Sequence, residues 1–114
     1  MGTKIYHNPR CRKSRETLSL VEGKGENPEI ILYLETPPTI EELKQMLELL
    51  NMKPYDLLRR GEAIFKEKFK GADLSDDDWI QAMIDHPKLM ERPIVVKDGK
   101  AALGRPPENV LSVL

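Results

Sequence analysis

Cysteine is all but missing from this chain: Cys11 stands alone among 114 residues. A single cysteine excludes an intrachain disulfide. With only two histidines beside it, a four-ligand zinc site of the usual Cys/His kind is excluded as well. We expect no metal and no bound cofactor, and a fold held by its core alone. Long apolar runs are also absent. Nothing approaches the roughly 18 residues that a membrane span requires, and the opening Met1-Gly2-Thr3-Lys4-Ile5-Tyr6 has no signal-peptide core. Tyr6 stands where a myristoylation signal wants Ser or Thr. There is no excess of either charge: the formal net charge is −1, which argues against a nucleic-acid binder. What remains is 39% hydrophobic and 32% charged, the composition of a soluble globular chain. At this length it is read as one domain, residues 1–114, in the cytoplasm, and a monomer.

Hydrophobic periodicity gives the order of elements. Lys4–His7 is a short strand signal ended by the turn dipeptide Asn8-Pro9. A helical pattern begins at Arg12, with Leu18, Leu20 and Val21 on its apolar face and Gly23 and Gly25 as stops. Glu29–Leu34 is a compact, β-branched run, expected as a buried second strand parallel to the first. Thr39 and Glu42 form a capping box before the stripe Ile40, Leu43, Met46, Leu47 and Leu50, with Asn51 as the stop. Pro54 opens a short helix through Leu57, Leu58 and Arg59, while Gly61–Gly71 gives no clear signal. Ser75 starts another helix, with three aspartates in its first turn and Trp79, Ile80, Met83 and Ile84 on its buried face. Ile94–Val96 and Ala101–Leu103 are strands joined by the hairpin turn Asp98-Gly99, and Pro106-Pro107 leads into a last helix. The expected fold is α/β and thioredoxin-like: a mixed four-stranded sheet, βαβ…ββα, with an inserted helical segment.

The chemistry concentrates at His7-Asn8-Pro9-Arg10-Cys11-Arg12-Lys13-Ser14-Arg15. This places a thiol in a strand-to-helix loop, where unpaired N–H groups and the positive end of the helix dipole favour the thiolate. Four cations, Arg10, Arg12, Lys13 and Arg15, lie within four residues of it. Such surroundings lower a cysteine pKa from its free value of about 8.5 and attract an oxyanion. Lone cysteines are usually inert core residues, but these flanks are the wrong company for a core. His7 is placed either against the sulfur or simply at the strand end. Ser14 takes the second position of a Cys-x-x-Cys spacing, so an oxidised or adduct state of Cys11 needs an external thiol.

His-Asn-Pro-x-Cys-x-x-Ser-Arg after a first strand resembles the glutaredoxin-linked arsenate reductases. The likeness continues through Leu32–Pro38, Leu57-Leu58-Arg59, His86-Pro87, Glu91–Val96 and Gly104-Arg105-Pro106. The resemblance implies a thioredoxin-like fold, Cys11 as the nucleophile, and Arg59, Arg92 and Arg105 as the arginines that hold arsenate oxygens. His7, Ser14, Arg15 and Pro93 would support them, with Pro93 in a cis peptide. It further implies arsenate or a similar oxyanion as substrate, glutathione as co-substrate and glutaredoxin as partner. Arg60 is adjacent to Arg59, and either could face the site. Arg10 and Arg12 depart from the small residues that flank the cysteine in familiar members, which leaves the physiological substrate open. Two other functions fit the same fold: a redox-responsive regulator of RNA polymerase, against which Ser14 argues, and a thiol enzyme acting on another oxyanion or on glutathione mixed disulfides.

Overall fold

The computed structural model describes residues 2–114. The described residues pack as two compact units: residues 2–36 with 92–114, and residues 37–91.

The first unit contains the whole sheet. Strands β1 (Thr3–His7), β2 (Glu29–Leu32), β3 (Ile94–Lys97) and β4 (Lys100–Leu103) lie in the order β2-β1-β3-β4. β1 and β2 are parallel, joined by helix α1 (Arg12–Gly23), whereas β1–β3 and β3–β4 are antiparallel. This is the mixed sheet that the sequence pattern implies. Asp98 and Gly99 both take positive φ, 48° and 76°, as a two-residue hairpin turn matched to strand twist requires. Ile5, Val21, Val95 and Val110 form the centre of the core and are fully buried. The last helix is a 3₁₀ helix, Pro107–Val113, packed on α1 and β4.

Three expectations about this unit need correction. β2 ends at Leu32, two residues early, because Glu35 and Thr36 N–H groups both return to the Leu32 carbonyl in a tight turn. Nor is β2 buried: it is the edge strand, and Ile30 and Leu32 are 45% and 36% exposed. The buried face of α1 is also less apolar than the periodicity suggested. Ser14, Thr17 and Val21 are its buried residues, while Leu18 and Leu20 are only partly covered.

The second unit is helical. Helix α2 (Ile40–Leu50) carries the expected capping box and ends at Asn51 in the left-handed conformation, φ 56°. Leu43, Met46 and Leu47 are its buried face, but Ile40 at the first position is exposed. The segment without a clear signal contains a short helix, α3 (Ala63–Lys68). Helix α4 (Asp76–Asp85) starts where the Ser75 hydroxyl accepts from the Asp78 N–H. Phe65 and Trp79 stack at 6.1 Å, and Phe69 and Tyr55 also pack on Trp79. The short helix at Pro54 stops at Leu57. Leu58 and Arg59 are therefore not helical, because Leu58 makes an antiparallel bridge to Met90.

Candidate active site

The site of the first unit is built on the turn between β1 and α1. Asn8 is buried, its carbonyl accepts from the Cys11 N–H at 3.0 Å, and its side-chain oxygen accepts from the Arg10 N–H at 3.0 Å. Both bonds wrap the chain around one buried amide, the usual work of Asn in a turn. The Arg15 guanidinium reaches back over the turn and donates to the Pro9 carbonyl at 2.8 Å. Cys11 emerges as the N-cap of α1, with extended backbone (φ −95°, ψ 122°) and its carbonyl accepting the Arg15 N–H.

Cys11 is partly exposed. Burial by itself pushes its thiol up, yet the balance falls below the ordinary thiol value. The Ser14 backbone N–H, the hydrogen bond and charge of Arg92, and the Lys13 backbone N–H all favour the thiolate. These are the orphan N–H groups of a helix start. The Arg105 guanidinium adds Nη2, 3.9 Å from the sulfur. Its Nε donates to the Arg92 carbonyl at 2.9 Å, so the two arginines are tied together. Arg92 precedes Pro93 across a cis peptide bond, as Arg105 precedes Pro106. Arg92 Nε is buried and has no hydrogen-bond partner among the described residues.

The side chains of His7 and Ser14 engage each other. Nδ1 of His7 is 2.6 Å from Ser14 Oγ, which also accepts the Asn8 N–H at 3.0 Å. Ser14 is fully buried and His7 nearly so. Burial, then the charge of Arg15, lowers the His7 pKa against a smaller opposing pull from Glu22, so the ring is neutral at pH 7. A neutral ring leaves Nδ1 free to accept the serine proton while the oxygen takes the amide. His7 thus stands at the end of β1 with Ser14 as its partner, a pairing that neither of the two expected placements included.

Behind Pro93, Gly104 is boxed in. A Cβ there would come within 2.6 Å of Thr17 Oγ1 and 2.8 Å of Pro93 Cγ. Gly104 N–H donates to the Pro93 carbonyl at 2.9 Å. Sequence reasoning missed Gly104 and Asn8 as site-builders. The Asn-Pro turn signal pointed toward Asn8, but nothing local marked the close approach at Gly104.

Arg10 and Arg12 are exposed, and Arg12 reaches Glu16 at 3.7 Å on the open face of α1. Arg59 belongs to the second unit. Its N–H donates to the Leu89 carbonyl at 2.7 Å, and Glu91 N–H donates to the Leu57 carbonyl at 2.9 Å. Its Nε lies 3.5 Å from Glu91 and its Nη2 4.0 Å from Glu62, while Nη1 is buried with no hydrogen-bond partner among the described residues. Arg60 is different: it is exposed, with its guanidinium 4.8 Å from the Tyr55 ring centroid. Of these two neighbours, Arg59 is the half-buried one with a free donor.

The site thus combines a thiol with a lowered pKa at a helix start with the Arg105 guanidinium, which is anchored on the Arg92 carbonyl, and with the unused buried Nε of Arg92, a cationic setting that suits an anion. Comparison with known proteins identifies the family. The uncharacterized protein YfgD of Escherichia coli (strain K12) is 53% identical over 113 residues, covering 97% of this chain and 95% of that protein. An arsenate reductase of Neisseria meningitidis is 45% identical over 113 residues and 97% of each chain. The structure of an arsenate reductase from Vibrio cholerae superposes with a TM-score of 0.95 at 51% identity, covering 100% of this chain and 98% of that one. The sequence model of the ArsC family matches residues 6–113. With fold, loop and sequence in accord from one end to the other, this chain belongs to the ArsC family.

Proposed function

We propose that the protein reduces arsenate to arsenite, with Cys11 as its nucleophile. The observation that carries the reading is the partly exposed Cys11 sulfur, whose pKa is lowered at the start of α1, with Arg105 Nη2 at 3.9 Å and Arg92 beside it. Relatives of 45% and 51% identity that are named arsenate reductases support it.

The ionised sulfur attacks arsenic(V), an As–S bond forms, and one oxygen leaves as water, giving a covalent Cys11–arsenate adduct. Arg92 and Arg105 orient the oxygens and take up charge as the oxygen departs. The family resemblance alone implies Arg59 as a third oxyanion-holding guanidinium. Two external thiols then supply two electrons: arsenate and two thiols become arsenite, one disulfide and water. Glutathione attacks the adduct, arsenic(III) leaves, and glutaredoxin removes the remaining glutathione link. Ser14 does not substitute for a second thiol, because a hydroxyl cannot take part in thiol–disulfide exchange. The residues need no metal or prosthetic group for these steps. The reading places the protein in the cytoplasm, where both reductants reside.

The test is arsenate-dependent consumption of glutathione with glutaredoxin supplied. The wild-type protein should turn over and Cys11→Ser should not. No turnover by the wild type under these conditions would sink the proposal and favour action on another oxyanion or on glutathione mixed disulfides.

A further inference from the structure

A second feature of the first unit lies one residue from the thiol. The ends of β1 and β2 enclose a cavity of about 330 Å³, lined by His7, Asn8, Pro9, Arg10, Leu32, Leu34 and Glu35. That is the lower end of the size range of small-molecule sites. Leu32 and Leu34 are 36% and 37% exposed, so the wall presents apolar surface to the cavity mouth. Arg10 and Glu35 line the same cavity with opposite charges. Neither makes a side-chain hydrogen bond or ion pair, with each other or with another described residue. Two unpaired, opposite charges across an apolar-walled pocket complement a ligand that carries both signs.

Building on the proposed reduction, we infer that this pocket seats the resolving thiol, a short peptide bearing carboxylates and one ammonium, the class to which glutathione belongs. Arg10 takes a carboxylate, Glu35 takes the ammonium, and the leucines cover the methylenes between them. The exposed Arg12 and Lys13 extend the positive field on the Cys11 side and draw in an anionic thiol. The link to the thiol is through the chain: Arg10, which lines the pocket, immediately precedes Cys11. Arg10, the departure from the family's usual small residue, thus has a task at the second step of the reaction and not at oxyanion capture.

The experiment is an amide-resolved NMR titration of the full chain with S-methylglutathione, whose thioether cannot react with Cys11. Saturable shifts are expected at His7, Asn8, Arg10 and Leu32 to Glu35. Arg10→Glu should weaken binding more than tenfold, Arg10→Lys less than threefold, and Glu35→Gln by severalfold, with unchanged circular dichroism. Shifts confined to Arg92–Arg105, an Arg10→Glu protein that binds like wild type, or no saturation into the tens of millimolar would each overturn the inference. The titration contains no arsenate and no turnover. Binding here by a protein inert toward arsenate would therefore refute the proposed reduction alone, and turnover without binding here would refute this pocket alone.

Discussion

Removing one buried oxygen tests whether the loop beneath Cys11 is held as described. Ser14→Ala deletes the hydroxyl that meets His7 Nδ1 at 2.6 Å and accepts the Asn8 N–H at 3.0 Å. All three residues are buried, so neither group left behind gains water easily. Each orphaned buried polar group costs about 1–3 kcal/mol. Alanine returns about 0.5 kcal/mol as the better helix former. The expected net loss is about 1.5–5.5 kcal/mol, a large share of the 5–15 kcal/mol typical of a domain. Thr17→Val is the internal control. Thr17 is equally buried, but its hydroxyl only back-bonds to the Lys13 carbonyl at 2.8 Å within the same helix. Losing that bond, with shape retained, should cost less than about 1 kcal/mol. Urea unfolding reads both. With m near 2 kcal/mol/M, Ser14→Ala should lower the midpoint by about 1–3 M and Thr17→Val by less than about 0.5 M. Equal losses in the two variants would refute the claim that the serine organises the loop.

Three further outcomes are expected. Gly104→Ala should destabilise by about 1–3 kcal/mol, because the stiff Thr17 and the Pro93 ring cannot yield to a Cβ placed at 2.6 and 2.8 Å; Gly61→Ala, with open space around it, should be neutral, and equal melting temperatures for the two would refute this. Glu26 has a pKa lowered by its hydrogen bonds from Lys97 and then Thr3, so its contribution is full above the unfolded carboxylate value of about 4.3 and fades as pH falls through the lower folded value; Glu26→Gln should flatten stability against pH in that acid window, and an unchanged slope would count against the pair. Arg92→Ala should move the pH profile of Cys11 alkylation upward, since a hydrogen bond and a charge that favour the thiolate are both lost. The same variant should weaken protection by arsenate or sulfate more than tenfold, or about 1.4 kcal/mol; unmoved profiles and midpoints would take Arg92 out of the site.

The sheet was legible wherever one physical rule governed a segment. Parallel β1 and β2 follow from a strand-helix-strand order, and the hairpin follows from Asp98-Gly99, because the turn demands positive φ at both positions. Legibility failed where burial depends on position in the sheet. Glu29–Leu34 reads as a core strand by composition, but composition does not say which strand takes the edge. α1 misled in the opposite sense: Ser14 and Thr17 lie on its buried face as hydroxyls satisfied within the loop and helix, so an apolar stripe underestimates its packed side. The helix position of Cys11 was legible, but local charge pointed to Arg10, Arg12, Lys13 and Arg15, whereas the groups that lower its pKa are the Ser14 and Lys13 backbone N–H groups and Arg92. Arg92 and Arg105 are far from it in sequence. No local pattern could unite them, and only the resemblance named them beforehand. Gly104 was invisible for the same reason: its constraint is set by Thr17 and Pro93, both distant in the chain.

Guanidinium groups around a thiolate select for charge and tetrahedral shape, and phosphate has both. Arg92 and Arg105 therefore offer no binding contact that favours arsenate over phosphate by more than small differences in size. Under the proposed chemistry, discrimination must arise after binding. Arsenic(V) accepts a thiolate and then two electrons to become arsenic(III), whereas phosphorus(V) has no corresponding reduction by thiols. Phosphate should consequently act as a competitive inhibitor that raises the apparent KM for arsenate, leaves kcat unchanged, and consumes no glutathione. The same anion should slow Cys11 alkylation by occupying the arginines, with a midpoint equal to its inhibition constant. If phosphate instead lowered kcat without raising KM, it would be acting away from the Cys11–Arg92–Arg105 cluster, and the oxyanion cradle would have to be sought elsewhere in the chain.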